Sequence, residues 1–271
     1  MSDAFLTFIT TCRGRLEHLQ QSLPKLVAQK GAAIVIVDYD CPQGAGTWVE
    51  EHHPEVAVVR SGPREHFEAA RARNLGAEAA TTPWLCFTDA DTLLDAGFSA
   101  ALEPLLAPGG FYTLGEDGSS MGFCVCSRAD FTRVQGYDPV LQGWGMEDKD
   151  LYTRLELAGL ERRRAPRHLV TMILHRNDLR VQHYALKSGY LSSTINFVYC
   201  RAKWDLMAAG HPMTDEAFRR DLYAQVSGGM KASASKGEPF TIRLTFRSQT
   251  SFSGALVKSS LVYDVEPLKR L

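Results

Sequence analysis

"WLCFTDADTLLD", residues 84–95, runs an apolar, β-rich stretch straight into two acids one residue apart, Asp89 and Asp91. Alternate side chains of a strand share a face, so the two carboxylates can bind one divalent ion, or an ion and a ribose hydroxyl. The same residues also suit a plain turn in which Asp91 caps a following helix. The flanks bear on the choice. "AFLTFIT" (4–10), "AAIVIVD" (32–38) and "VAVVR" (56–60) read as buried strands, and "GRLEHLQQSLPKLVAQK", "GAGTWVEEHH" and "REHFEAARARNLGAEAAT" between them carry helical spacing. Strands alternating with helices make βαβ crossovers, which predicts an α/β fold with a parallel sheet and a nucleotide-binding layout. In such sheets functional groups collect at the carboxyl ends of strands. Asp38, Asp89, Asp91 and His175, which closes the strand candidate "HLVTMILH" (168–175), all fall at such ends.

The 271 residues suffice for one large α/β domain, or one domain with an appendage. With 30 Lys+Arg against 31 Asp+Glu, nothing demands nucleic acid or an anionic membrane surface. No apolar run has bilayer length, and "MSDAFLTFITTCRGR" lacks the pattern of a signal peptide, so the expectation is a soluble, cytoplasmic protein. Six cysteines in such a chain fit reduced thiols; Cys124 and Cys126, on one strand face, read as packing residues.

Beyond residue 110 come shorter strands, "GFYTL" and "MGFCVCS", a turn at "VQGYDP" and a helix over about 146–158. Residues 180–209 read as largely helical, 227–239 ("SGGMKASASKGEP") as a small-residue loop, and "FTIRLTFRS" as a strand. "GWGMEDKDLYTRL" (143–155) sets Trp144 between two glycines and follows it with Glu147, Asp148 and Asp150. Acids suit a first helical turn for its dipole alone, whereas glycines beside an aromatic suit a closing lid. Arg13 and Arg15 follow the first strand and can meet phosphates, or simply start a helix. Arg71 and Arg73 read most simply as a solvated helix face. Met172 and His175 are ordinary strand residues or, with a carboxylate, ligands for an ion of Mn²⁺ type.

The order of these signals resembles the GT-A glycosyltransferases, above all the catalytic domain of the β-1,4-galactosyltransferase family, over roughly residues 5–185. "RGRLEHL" resembles that family's nucleotide loop, "DAD" its metal motif, "GWGMEDKD" its Gly-Trp-Gly-Gly-Glu-Asp-Asp-Asp signature and "MILH" the strand that returns to the metal; "ARARNLG" is similar to the broader, family 2-like transferases. The resemblance implies a Rossmann-like mixed sheet flanked by helices over residues 1–185; residues 186–271 read as a C-terminal extension, helical and then β-rich, packed on the same domain. It implies an inverting, metal-dependent transfer from a UDP-sugar to a glycan or glycolipid hydroxyl, as in polysaccharide biosynthesis, with peripheral membrane association compatible. Thr11, Arg13, Arg15 and Asp38 would then contact the nucleotide, Arg73 the nucleotide sugar, and Asp89 the ribose and metal site. Asp91, Met172 and His175 would hold Mn²⁺ (or Mg²⁺), Trp144 would wall donor from acceptor, Glu147 would position the acceptor and Asp148 would act as base. Departures are Thr11 and Cys12 where the family has a proline and an aromatic, and Met146 in place of the second glycine. A retaining transferase similar to the polypeptide N-acetylgalactosaminyltransferases and a noncatalytic carbohydrate-binding protein are the alternatives.

Overall fold

The computed structural model describes residues 4–115, 122–174, 181–236, 238–249 and 256–266. The chain forms two compact units, Met1–Gly189 and Tyr190–Leu271.

The first unit runs β1 (Leu6–Cys12), α1 (Leu16–Val27), β2 (Ala32–Asp38), α2 (Ala45–His52), β3 (Ala57–Arg60), α3 (Ala69–Ala79), β4 (Trp84–Asp89), β5 (Thr92–Leu94), α4 (Phe98–Leu102), β6 (Gly110–Thr113), β7 (Cys124–Ser127), α5 (Arg128–Arg133), α6 (Glu147–Leu157), β8 (Glu161–Arg164) and β9 (Val170–Met172). Seven strands form one mixed sheet in the order β3-β2-β1-β4-β7-β6-β8, with β7 alone antiparallel to its neighbours. The order reverses beside β1, and in open α/β sheets the crevice that takes ligands lies at such a point, beyond the carboxyl ends of the strands.

Strand alternation builds a core on each face. Leu6 and Phe8 of β1, Ile36 of β2 and Cys86 of β4 pack with Leu19, Leu23 and Leu26 of α1 and Phe98 of α4. Ile9, Val35, Val37, Leu85 and Phe87 point the other way and pack with α3 and with Leu151 and Leu155 of α6. Two covered faces explain why these strands read as continuous apolar runs. Cys124 and Cys126 lie in the second core, and all six cysteines are buried and free.

Helix α3 approaches the sheet closely because Gly76 faces it: a Cβ there would fall 2.3 Å from Ile9 Cγ2. Arg73, one turn earlier on the same face, is drawn beneath the end of β4 instead of lying in solvent.

The second unit contains α7 (Gly189–Ala208, whose first residue closes the first unit), α8 (Glu216–Lys236) and an antiparallel ribbon of β10 (Phe240–Gln249) and β11 (Leu256–Val265). The small-residue stretch expected as a loop continues α8 as far as Lys236. Its glycine serves packing: a Cβ on Gly229 would fall 2.4 Å from the Phe240 ring. Among the described residues no helix is long and apolar enough to cross a membrane.

Candidate active site

The ends of β1, β2 and β4 lie in register, Thr11 beside Asp89 and Cys12 beside Asp38. Arg13 leaves β1 and donates to the carbonyl oxygens of Tyr39 (2.9 Å) and Arg64 (2.8 Å), with Asp40 at 3.5 Å, so its guanidinium staples two loops. Arg15, just ahead of α1, lies 3.3 Å from His18 Nδ1. The carboxylate of Asp38 is buried and accepts from the backbone N–H of Cys41 and of Gly46, both at 2.7 Å. Asp38 thus takes the Asx-turn role and also secures the first turn of α2.

Arg73 is the centre of the site. It is only 4% exposed, which rules out the solvated helix face expected for it. Its Nη2 lies 2.9 Å from Asp89, and its Nη1 3.1 Å from Asp148 and 3.3 Å from Glu147, while the guanidinium sits 5.1 Å above the Tyr137 ring. Burial opposes its charge, and Asp148, Tyr137, Asp89 and Glu147 together more than offset that, so it stays protonated well above its ordinary range. Three carboxylates share this one cation. Burial pushes Asp148 well above the usual carboxylate range; Arg73 pulls it back, and the charges of Glu147 and Asp89 push it up again. Gly122 makes room for Asp89: a Cβ there would fall 2.0 Å from Asp89 Oδ2.

Two residues beyond Asp89 the chain turns into β5, so Asp91 has no helix to cap and that reading fails. Strand β5 pairs with β9, setting Thr92 opposite Met172, with its hydroxyl 3.6 Å from the Met172 sulfur. The Ile173 N–H donates to the Asp91 carbonyl at 2.8 Å. Asp91 and Met172 are 81 positions apart in the sequence, and this ribbon brings their backbones close together. The strand at 170–172 is shorter than the expected 168–175, because a 3-10 turn over Arg167–Leu169 takes up its start. His175 lies outside the described residues. Among the described residues no three His, Cys, Asp or Glu side chains form a metal-ready group. The thioether of Met172, and a carboxylate on the residue next to its strand partner Thr92, are nonetheless the donor types that suit a borderline divalent ion taking further ligands.

The loop before α6 holds Gly143, Gly145 and Met146 at φ +72°, +98° and +78°. Trp144 between them is half-buried, and a Cβ on Gly189 would lie 3.5 Å from its ring. Glu147 and Asp148 occupy the first turn of α6, whereas Asp150 is fully buried against Arg154 at 2.9 Å and serves the helix.

Two family models match the chain in succession: glycosyl transferase family 2 over residues 7–109 and the N-terminal domain of galactosyltransferase over residues 112–176. The chain is a glycosyltransferase of the GT-A type. Its fold is shared with solved transferases at low identity. A mannosyltransferase from Pyrobaculum calidifontis, solved with GDP-Man and Mn²⁺, is 17% identical at TM-score 0.57, over 88% of this chain and 77% of that one. The catalytic domain of Drosophila β1,4-galactosyltransferase 7, solved with xylobiose, is 20% identical at TM-score 0.50, over 68% and 75%. GalNAc-T7, solved with UDP, GalNAc and Mn²⁺, is 14% identical at TM-score 0.58, over 82% of this chain and 55% of that one. Among curated proteins none matches the sequence.

Sequence reading missed two tyrosines of the transferase. Tyr137 underlies Arg73, and Tyr184 is buried with its ring edge-on to Phe67 at 5.3 Å. Burial first, and then the charge of Glu147, raise the Tyr184 hydroxyl well above its usual range. The "GYD" turn hinted at the first; no periodicity marks the second.

Met146 adopts a left-handed backbone that costs a residue with a Cβ about 1 kcal/mol. Met146→Gly is expected to raise stability by about that amount, read as a higher urea midpoint at unchanged slope. A lower midpoint would mean that the methionine side chain contributes more than its backbone costs.

Proposed function

We infer that the transferase moves a sugar from a UDP-sugar to a hydroxyl of a glycan or glycolipid, with inversion at the anomeric carbon and a divalent metal, Mn²⁺ or Mg²⁺. The observation that carries this reading is the chain connection between two clusters. Asp89 belongs to the Arg73 cluster that holds Glu147 and Asp148, and Asp91, two residues on, belongs to the Met172 ribbon. A proton acceptor held by Arg73 and a carboxylate that would bear the metal are thus both tied to the end of β4, the pair that a metal-dependent inverting displacement would use.

In this reading Asp148 takes the proton of the attacking hydroxyl, its raised pKa making it a stronger base than a solvated carboxylate. Glu147 orients the acceptor, Trp144 separates acceptor from donor, and Arg73 holds both acids while facing the donor sugar. Thr11, Arg13, Arg15 and Asp38 shape the nucleotide side, and Asp89 supports the ribose. Asp91, Met172 and His175 hold the metal, which when bound supplies positive charge for the departing diphosphate. Six free buried thiols accord with work in a reducing cytoplasm.

Calorimetric titration of UDP and of GDP, with and without Mn²⁺, tests the donor and the metal together. Mn²⁺ is expected to tighten UDP binding at least about tenfold, or about 1.4 kcal/mol. That gain should vanish in Asp91→Ala and His175→Ala. Metal-independent UDP binding would remove the metal assignment, and a preference for GDP would change the donor. The anomeric configuration of the product, read by NMR, separates inversion from retention.

A further inference from the structure

His183 and Lys187 lie outside the arginine loop, the Asp-x-Asp turn and the Gly-Trp-Gly segment. The His183 imidazole rests directly on Gly14, the residue between Arg13 and Arg15: a Cβ on Gly14 would fall 1.9 Å from His183 Nε2. Gly14 also holds φ +67°, so glycine is required there twice over. The Phe67 N–H donates to the His183 carbonyl at 2.8 Å, and the Lys187 ammonium donates to the Gln182 carbonyl at 2.7 Å, which keeps the segment folded on the nucleotide side of the crevice.

The charges acting on this imidazole are those of Arg13, Lys187 and Arg15, all positive. The adjoining loop brings Arg64 and the Glu65–His66 pair, whose glutamate side chain is 87% exposed and turned to solvent. Burial first and then the three cations hold His183 below the ordinary histidine range, so the free protein keeps it neutral. Arg13 adds charge here while its donors serve the carbonyls of Tyr39 and Arg64. The groups able to donate to a ligand are therefore Arg15, His183 and Lys187.

We propose that His183, backed by Lys187, completes with Arg13 and Arg15 a binding site for the diphosphate of the donor, and that the imidazole takes up a proton when the diphosphate arrives. Three converging cations make the neutral ring the cheapest state without an anion. A dianion reverses that field and adds an acceptor for a second ring N–H. The proposal rests on the nucleotide-sugar reading given above.

Inorganic pyrophosphate without metal is the probe, followed by ¹³C-histidine NMR of the whole chain, with the His183 signal assigned from His183→Asn. Pyrophosphate is expected to raise the titration midpoint of His183. The ratio of wild-type to His183→Asn affinity should grow as pH falls, by up to about tenfold per unit of midpoint shift. The ratio cancels titration of the probe itself. Lys187→Ala should weaken binding at every pH and leave the linkage in place. A midpoint that does not move, or a ratio flat with pH, overturns the proposal. The two readings fail separately: His183 responding to pyrophosphate in a protein that binds neither UDP nor GDP keeps this site and removes the nucleotide donor. Tight UDP binding with His183 unmoved does the reverse.

Discussion

Asp148→Asn is expected to lower kcat by about 10²- to 10⁴-fold, the range over which a positioned general base acts, with UDP affinity within about twofold of wild type. The same variant should be at least as stable as the wild type at neutral pH. Burial holds the Asp148 carboxyl well above its range in the unfolded chain, so the folded state binds the proton more tightly. The stability from that proton is complete below the unfolded carboxylate pKa and is lost as pH rises through the folded value. Asparagine is neutral throughout and escapes this loss. The gap between variant and wild type should therefore open from pH 5 towards pH 7.5 in urea denaturation. A residue present only for structure would behave oppositely, with stability falling and turnover following it. Turnover within about tenfold of wild type would remove Asp148 as base.

The strands and the crevice were legible because the physics that forms them is local. Apolar runs covered on both faces announce β1, β2 and β4, and the acids that end them must stand at the sheet's carboxyl edge. What escaped reading depends on contacts between distant segments. Arg73 reads as a surface residue until Gly76 is seen to seat α3 against Ile9. Residues 227–239 carry loop composition, and only the proximity of Phe240 to Gly229 explains small residues in a helix. Met146 departs from the family signature by side chain but keeps the left-handed backbone for which a glycine is suited. Tyr184 and His183 belong to a segment whose significance lies wholly in what it covers.

Arg73→Met is expected to cost about 3–5 kcal/mol of stability at pH 7.5, the range for removing one partner from a buried ionic cluster. Most of the loss should come from Glu147 and Asp148, whose side chains are each 11% exposed; Asp89, at 38%, can be screened by water. Without the guanidinium these acids can relieve their repulsion by taking up protons, so the loss should shrink as pH falls towards 5. Arg73→Lys should fall between, since a single ammonium cannot reach Asp89 and Asp148 with a planar fork. The decisive comparison is the double variant with Asp148→Asn. Neutralising one carboxylate removes part of what Arg73 was holding, so the double variant should be less destabilised than the two single changes predict, by about 0.5–3 kcal/mol. Strict additivity would place the weight of Arg73 on Glu147, on Asp89 or on the Tyr137 ring, and the base would then be set without Arg73. Coupling would mean that one arginine both holds the site folded and keeps Asp148 ionised against its burial, ready to accept a proton.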